Sequence, residues 1–213
     1  MKTLAKWVVS IAAIVAIILG FIVFSFLYEM KSSPKEEEKA ISEGKQYIKN
    51  NFNQHVSITG SFYDNMGNFN FDYAAKAHDK QNDLNFLVYY NAETAQMEDT
   101  YIAEKWTKET KDDLSSVVHK TFPKIDEWSV YYDDNVGFIY NVSPSSKKTY
   151  IDYDVKPIIN IKIPRKVSDK DPEKLETLLS YAKETLGMKH ATFVLEYSKK
   201  GVPLEDEILR KEF

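Results

Sequence analysis

Hydrophobic positions fall into three rhythms along these 213 residues. The first is no rhythm at all: residues 7–28 hold 22 positions without one charged side chain, fourteen of them Val, Ile, Leu or Phe. As a helix rising about 1.5 Å per residue they extend roughly 33 Å, enough to cross a hydrocarbon core of about 30 Å. A helical stripe follows in residues 36–52, where Ala40, Ile41, Gly44, Tyr47, Ile48 and Phe52 share a face. The acids Glu36, Glu37 and Glu38 fall in its first turn, where the helix dipole favours them. The period then drops to two. Val56, Ile58 and Phe62 alternate with polar residues, as do Phe69, Phe71, Tyr73, Ala75 and Ala77, and then Leu84, Phe86, Val88 and Tyr90. Turn sequences "YDNMGN" and "HDKQND" separate the runs. Three strands on short turns predict an antiparallel meander with one apolar face, and the preceding helix is its cover. This unit reads α-β-β-β.

The same rhythms return in residues 99–213. Ile102, Trp106, Leu114, Val117 and Val118 form a helical stripe that stops before Pro123. Trp128, Val130 and Tyr132 alternate, "DDNVG" turns, and Phe138, Tyr140 and Val142 alternate back. Residues 149–163 read as extended, interrupted at Pro157. A helix opens at Pro172, carries Leu175, Leu178, Leu179, Ala182 and Leu186, and ends at Gly187. A strand with Ala191, Phe193, Leu195 and Tyr197 precedes a short polar tail. The expected class is therefore α+β, a transmembrane helix followed by two small units of antiparallel sheet covered by helices: residues 1–30 a tail and anchor, 31–35 a tether, 36–98 a first unit and 99–213 a second. The turns "YDNMG" and "YDDNVG" recur about 70 residues apart. Duplication of an α-β-β unit explains this, and so does the shared need of tight hairpins for Asn and Gly.

The anchor reading has one competitor, a cleaved signal peptide, whose apolar region runs about 7–15 residues before a small-residue cleavage site. The run here is longer and exits through "FSFLYEMKSSPK", which has no such site. Trp7 and Tyr28 stand at its ends, where amphipathic rings prefer the headgroup level. Basic residues are balanced across the span, with Lys2 and Lys6 before it and Lys31 and Lys35 after. The short tail with its free amine tips the expected orientation to N-terminus inside and the large domain outside. The bilayer is then one partner, through residues 7–28.

Composition bounds the rest. Setting aside Lys2, Lys6 and Glu29 leaves 26 basic and 31 acidic side chains in residues 31–213, a net charge of −5. That balance is a poor match for nucleic acid, which wants a basic face. The same residues hold 24 aromatics, ample for packed cores. There is no cysteine, which removes disulfides, thiol nucleophiles and thiolate metal sites.

Candidate chemistry is sparse. His55, His78, His119 and His190 fall in separate elements without metal-binding spacing, so no metal or cofactor is expected. Asp152 and Asp154 would point the same way from a strand, the arrangement that paired carboxylates need. They are the candidates for an alternative reading, a cell-envelope hydrolase, although a solvated strand face explains them as well. The S-x-x-K patterns at Ser42/Lys45 and Ser145/Lys148 lack the partner motifs of Ser-Lys enzymes. No catalytic residue is assigned. The tyrosine pairs Tyr89–Tyr90 and Tyr131–Tyr132 each put one ring inward and one outward on a strand, and an outward tyrosine suits a protein or glycan contact.

With this order of elements the chain resembles the YfjL-like family, uncharacterised membrane-anchored proteins of low-GC Gram-positive bacteria. The resemblance lies in the anchor, in "YIKNNFNQHVSITGSFYDNMGNFNFDYAAK", in "NFLVYYNAETAQMEDTYIAEKW", and in the closing "INIKIP…LETLLSYAKETL…ATFVLEYS" block. It implies location and architecture, and it carries over no functional residue. The expectation is a single-pass, extracytoplasmic binding or regulatory module at the cell envelope, not an enzyme, with an envelope protein as partner.

Overall fold

A computed structural model describes residues 14–26 and 30–213. The chain forms a mixed α+β structure with two four-stranded sheets, and each sheet is built from one half of the sequence. In the first, β1 (Val56–Tyr63), β2 (Tyr73–Asp79), β3 (Leu84–Asn91) and β4 (Gln96–Asp99) pair antiparallel in chain order. The predicted meander is present, with a fourth strand that the sequence pattern did not announce. Helix α1 (Pro34–Asn51) lies on one face and buries Ala40, Gly44 and Ile48, an i, i+4, i+8 stripe. Gly44 permits close approach: a Cβ there would stand 2.4 Å from the Ala75 Cβ on β2.

The second sheet is not the all-antiparallel unit expected, and it corrects the sequence reading at four points. Its order is β5 (Glu127–Tyr131), β6 (Ile158–Ile163), β7 (Thr192–Lys199) and β8 (Val202–Glu212), and β6 and β7 run parallel. The alternating Phe138, Tyr140 and Val142 do not form a strand. Residues Val136–Ile139 make a one-turn helix, α3, whose Gly137 abuts helix α2 (Tyr101–Thr121); a Cβ there would lie 2.9 Å from Ile102. Packing against α2 thus overrides the local period. The stretch before Pro157 holds a 3₁₀ turn, Tyr150–Asp152, and the expected polar tail is the eleven-residue β8, hairpinned onto β7. Because "YDDNVG" leads into a helix and the sheets differ in topology, the two turn sequences do not mark a repeated α-β-β unit.

Helix α4 (Asp171–Ser180), extended by the π turn Tyr181–Thr185, connects β6 to β7, as a parallel pair requires. Leu175, Leu178 and Leu179 pack with Ile159, Ile161 and Ile163 of β6 and Phe193 and Leu195 of β7. That core runs without a break into Phe86, Val88 and Ile48 of the first half, because α2 packs on both β3 and β5. A second, small cluster lies on the far face of the first sheet, where Phe71, Ala74 and Tyr89 meet Phe62, Phe69 and Leu87.

Of the predicted span, residues 14–26 are helical, while Trp7 and Tyr28 lie outside the described residues. Among the described residues no helix is long and apolar enough to cross a membrane. The helical segment nevertheless leaves its apolar side chains open, from Val15 at 48% to Ile17 at 72% exposed, and none of them joins either core cluster.

Candidate functional site

A helix is about 10–12 Å across and strands lie about 4.8 Å apart, so one helix covers about two strands of a sheet. Helix α1 sits over β1 and β2 and touches β3 only lightly. Helix α2 covers part of β3 through its first turn, where Tyr101 meets Phe86 edge-on at 5.1 Å between centroids. The end of the sheet where Tyr90 pairs with Met97 is left with neither cover. A groove results along the flank of α1.

Three adjoining cavities make up this groove. The first, about 370 Å³, lies between the N-terminal half of α1 and Asp72, Tyr73, Tyr89 and Tyr90. The second, about 550 Å³, is lined by Glu43, Tyr47, Asn50, Tyr90 and Met97. The third is a cleft of about 680 Å³ between the C-terminal end of α1, Glu98 and Asp99 of β4, and residues 137–144. Glu43, Tyr90 and Met97 belong to both of the first two, and Tyr47 and Asn50 to both of the last two. Tyr90 is 50% exposed at the centre.

The polar groups of the cleft are held by local bonds. The Tyr47 hydroxyl donates to Asp99 Oδ2 at 2.7 Å, and the Tyr101 backbone N–H donates to Asp99 Oδ1 at 2.9 Å. Asp99 therefore tethers α1 to the start of α2. Burial, with Glu98 beside it, pushes the Asp99 carboxyl above the ordinary aspartate range against the opposing effect of those two bonds. Burial and Asp99 together push the Tyr47 hydroxyl well up. Glu98 accepts from Asn91 Nδ2 at 3.0 Å and Thr94 Oγ1 at 2.7 Å. Among the described residues neither Glu98 nor Asp99 forms an ion pair with a Lys or Arg.

The four tyrosines fare differently. Alternation assigns Tyr90 to the helix-covered face and Tyr89 to the open one, and the structure reverses their exposure. Tyr89 is 1% exposed because the loop after β1 folds over the far face and stacks Phe71 on it at 4.2 Å. Asp64 shapes that loop by accepting the Met66 and Phe69 N–H groups at 3.1 and 2.7 Å. Tyr89 is thus part of a core and offers no contact surface. Tyr132 points inward, bonded to Thr110 Oγ1 at 2.7 Å and edge-on to Trp106, whereas Tyr131 is exposed on β5, outside the groove.

No known protein family, characterised protein or solved structure matches this chain. The site must be read from its own chemistry. Asp152 and Asp154 are not on a strand, and the geometry that made them a pair is lost. Asp152 closes the 3₁₀ turn by accepting the Thr149 N–H at 2.8 Å, and Asp154 is exposed and 3.0 Å from His190 Nε2. Among the described residues no three His, Asp or Glu side chains gather as a metal site would need. The residues that pattern reading missed are Tyr47, Met97 and Asp99. Strand β4, "QMED", is too short to show a period, and Tyr47 reads as an ordinary member of a buried stripe.

Proposed function

We propose that this protein is a membrane-anchored binding module at the cell envelope, in which the groove beside α1 holds an extended ligand. The observation that carries the reading is the Tyr90–Met97 edge of the sheet, where the half-exposed Tyr90 stands beside the half-buried Met97 and both line a continuous groove along α1. Proteins seldom leave such a surface open unless something docks there. The anchor is supported by the apolar, exposed segment 14–26, since a helix that is hydrophobic all round belongs in lipid or a protein core. Its likeness to the YfjL-like pattern fits the same placement, with the N-terminus inside and the domain outside. Helix α1 starts eight residues after that segment, which keeps the groove close to the bilayer surface. The carboxylate-pair hydrolase has no geometry in its favour.

The test is site-specific photo-cross-linking in intact cells, with a benzophenone amino acid at Tyr90 and, as control, at the exposed Tyr131. An adduct that forms from position 90 and not from 131 is expected. Equal labelling at both, or none at 90, refutes a ligand in the groove. A membrane-impermeant lysine reagent applied to the same cells checks orientation, since an outward domain must be modified.

A further inference from the structure

The groove has a sign. Its three cavities are lined by Glu36, Glu43, Asp72, Glu98 and Asp99 and by one basic residue, Lys39. The cleft beyond the C-terminal end of α1 is more one-sided still: the Asp99 carboxylate faces it with no Lys or Arg in its wall, while the Glu98 side chain turns to the far face with Tyr89. Asp99 takes its hydrogen bonds from neutral donors, the Tyr47 hydroxyl and the Tyr101 backbone N–H. Among the other buried carboxylates, Asp171 is matched by Arg165 at 2.6 and 2.7 Å, whereas Asp64 and Asp79 close tight turns and take neutral donors there. The aromatic wall completes the chemistry, because Tyr47 stands beside Asp99 and Phe138, 47% exposed, lines the cleft. Rings of this kind suit the aliphatic stem of a long basic side chain while its charged end reaches a carboxylate.

The groove also has a length and an edge. The α1 residues that line it run from Glu36 to Asn51, about 23 Å at about 1.5 Å per residue. An extended chain covers that distance in about seven residues. Strand β4 borders the groove and is hydrogen-bonded to β3 alone, so main-chain groups on its outer side remain for an extended polypeptide. A glycan has no matching ladder to offer.

We infer that the groove binds an extended peptide segment and that the cleft at Asp99 is the pocket for one of its Lys or Arg side chains. This rests on the groove being the ligand site. The raised proton affinity of Asp99 agrees with a carboxylate placed for a cation, since an ammonium or guanidinium at hydrogen-bonding distance favours its charged form. Asp99 supplies the charge and Tyr47 fixes it in place. Tyr90 and Met97 carry the neighbouring apolar side chains of the peptide.

The test uses the full chain in detergent micelles, with the Met97 methyl resonance as reporter. The probes are a blocked alanine–serine heptapeptide with one central lysine, the same peptide with norleucine, and spermidine. The lysine peptide is expected to shift the Met97 signal with an affinity at least tenfold above the norleucine peptide. Asp99→Asn keeps Oδ1 for the Tyr101 N–H and presents its NH2 to the Tyr47 hydroxyl, which can accept, so it should fold, and it should bring the two peptides together. Glu36→Gln, at the far end, should leave most of the difference. If lysine and norleucine peptides shift Met97 equally, the cation pocket is wrong and the groove stands. If neither peptide moves Met97, the groove reading falls with it. A Met97 shift by spermidine alone overturns the peptide class in favour of a small polyamine.

Discussion

Asp171 shows how much a single residue can organise here. It is fully buried, accepts both Arg165 guanidinium nitrogens, the Ser168 N–H at 2.8 Å and the Tyr197 hydroxyl at 2.9 Å, and sits at the first turn of α4. Burial works to raise its pKa, but the Arg165, Ser168 and Tyr197 bonds together hold it below the ordinary aspartate value. A depressed folded-state pKa means the unfolded chain binds the proton more readily. The stability this carboxylate supplies is therefore fully present above about pH 4, and it is lost as pH falls through the lower folded value. Asp171→Asn should destabilise the protein by about 3 kcal/mol at pH 7, because it leaves Arg165 without its partner. The loss should shrink as urea unfolding is repeated below about pH 4. An undiminished loss at acid pH would mean the effect is one of shape alone. In the sequence Asp171 is simply the acid before Pro172, where the helix opens. Nothing there shows Arg165 or Tyr197 converging on it, since those contacts need the β6–α4–β7 connection. Asp99 was illegible for the same reason: its partner Tyr47 lies 52 positions away.

Among elements, what could be read depended on whether local period and tertiary packing agreed. Helix α1 and strands β2 and β3 were legible because each buries one face over most of its length. Residues 136–142 were not, because their period of two competes with the contact between Gly137 and Ile102, and the contact wins. Strand β8 was missed because its side chains are mostly exposed and it bulges opposite Glu196–Ser198, which leaves no alternation to detect. The contact that places α1, and with it the groove, is Gly44 against Ala75. Gly44→Ala should gain up to about 1 kcal/mol of helix propensity and lose more than that to overpacking, typically about 1–3 kcal/mol. A net loss of about 1–2 kcal/mol is expected. Adding Ala75→Gly removes the methyl that the new Cβ meets, so the double variant should be more stable than the two single losses predict, by at least about 1 kcal/mol in a double-mutant cycle. Strict additivity would show that α1 is not seated by this pair.

At the scale of the molecule, the sequence suggested two units meeting near residue 98, and the packing joins them. Helix α2 belongs to neither sheet alone: Tyr101 bears on the first half, while Ile102 packs on Gly137 and Trp106, Leu114 and Val118 continue into the same buried cluster as β5, β6 and α4. The Asp79 carboxylate on β2 accepts the Tyr101 hydroxyl at 2.9 Å, which ties the start of α2 to the first sheet again; burial, with this bond, pushes the pKa of that hydroxyl up to about 12. A shared core of this kind predicts one cooperative unfolding transition. With Trp7 replaced by Phe, tryptophan emission should report the second half, since Trp106 is wholly buried within it and Trp128 lies on β5. The Val88 methyl resonances report the first. The two should follow one urea curve, and a chain beginning at residue 31 should follow the same curve, because the 14–26 segment contributes to neither core cluster. Two separated midpoints would restore independent units and make the groove a property of the first half alone. A coincident curve makes the groove's cleft, where β4 and the 137–144 segment face each other, as stable as the whole fold, and so a pocket shaped before any ligand arrives.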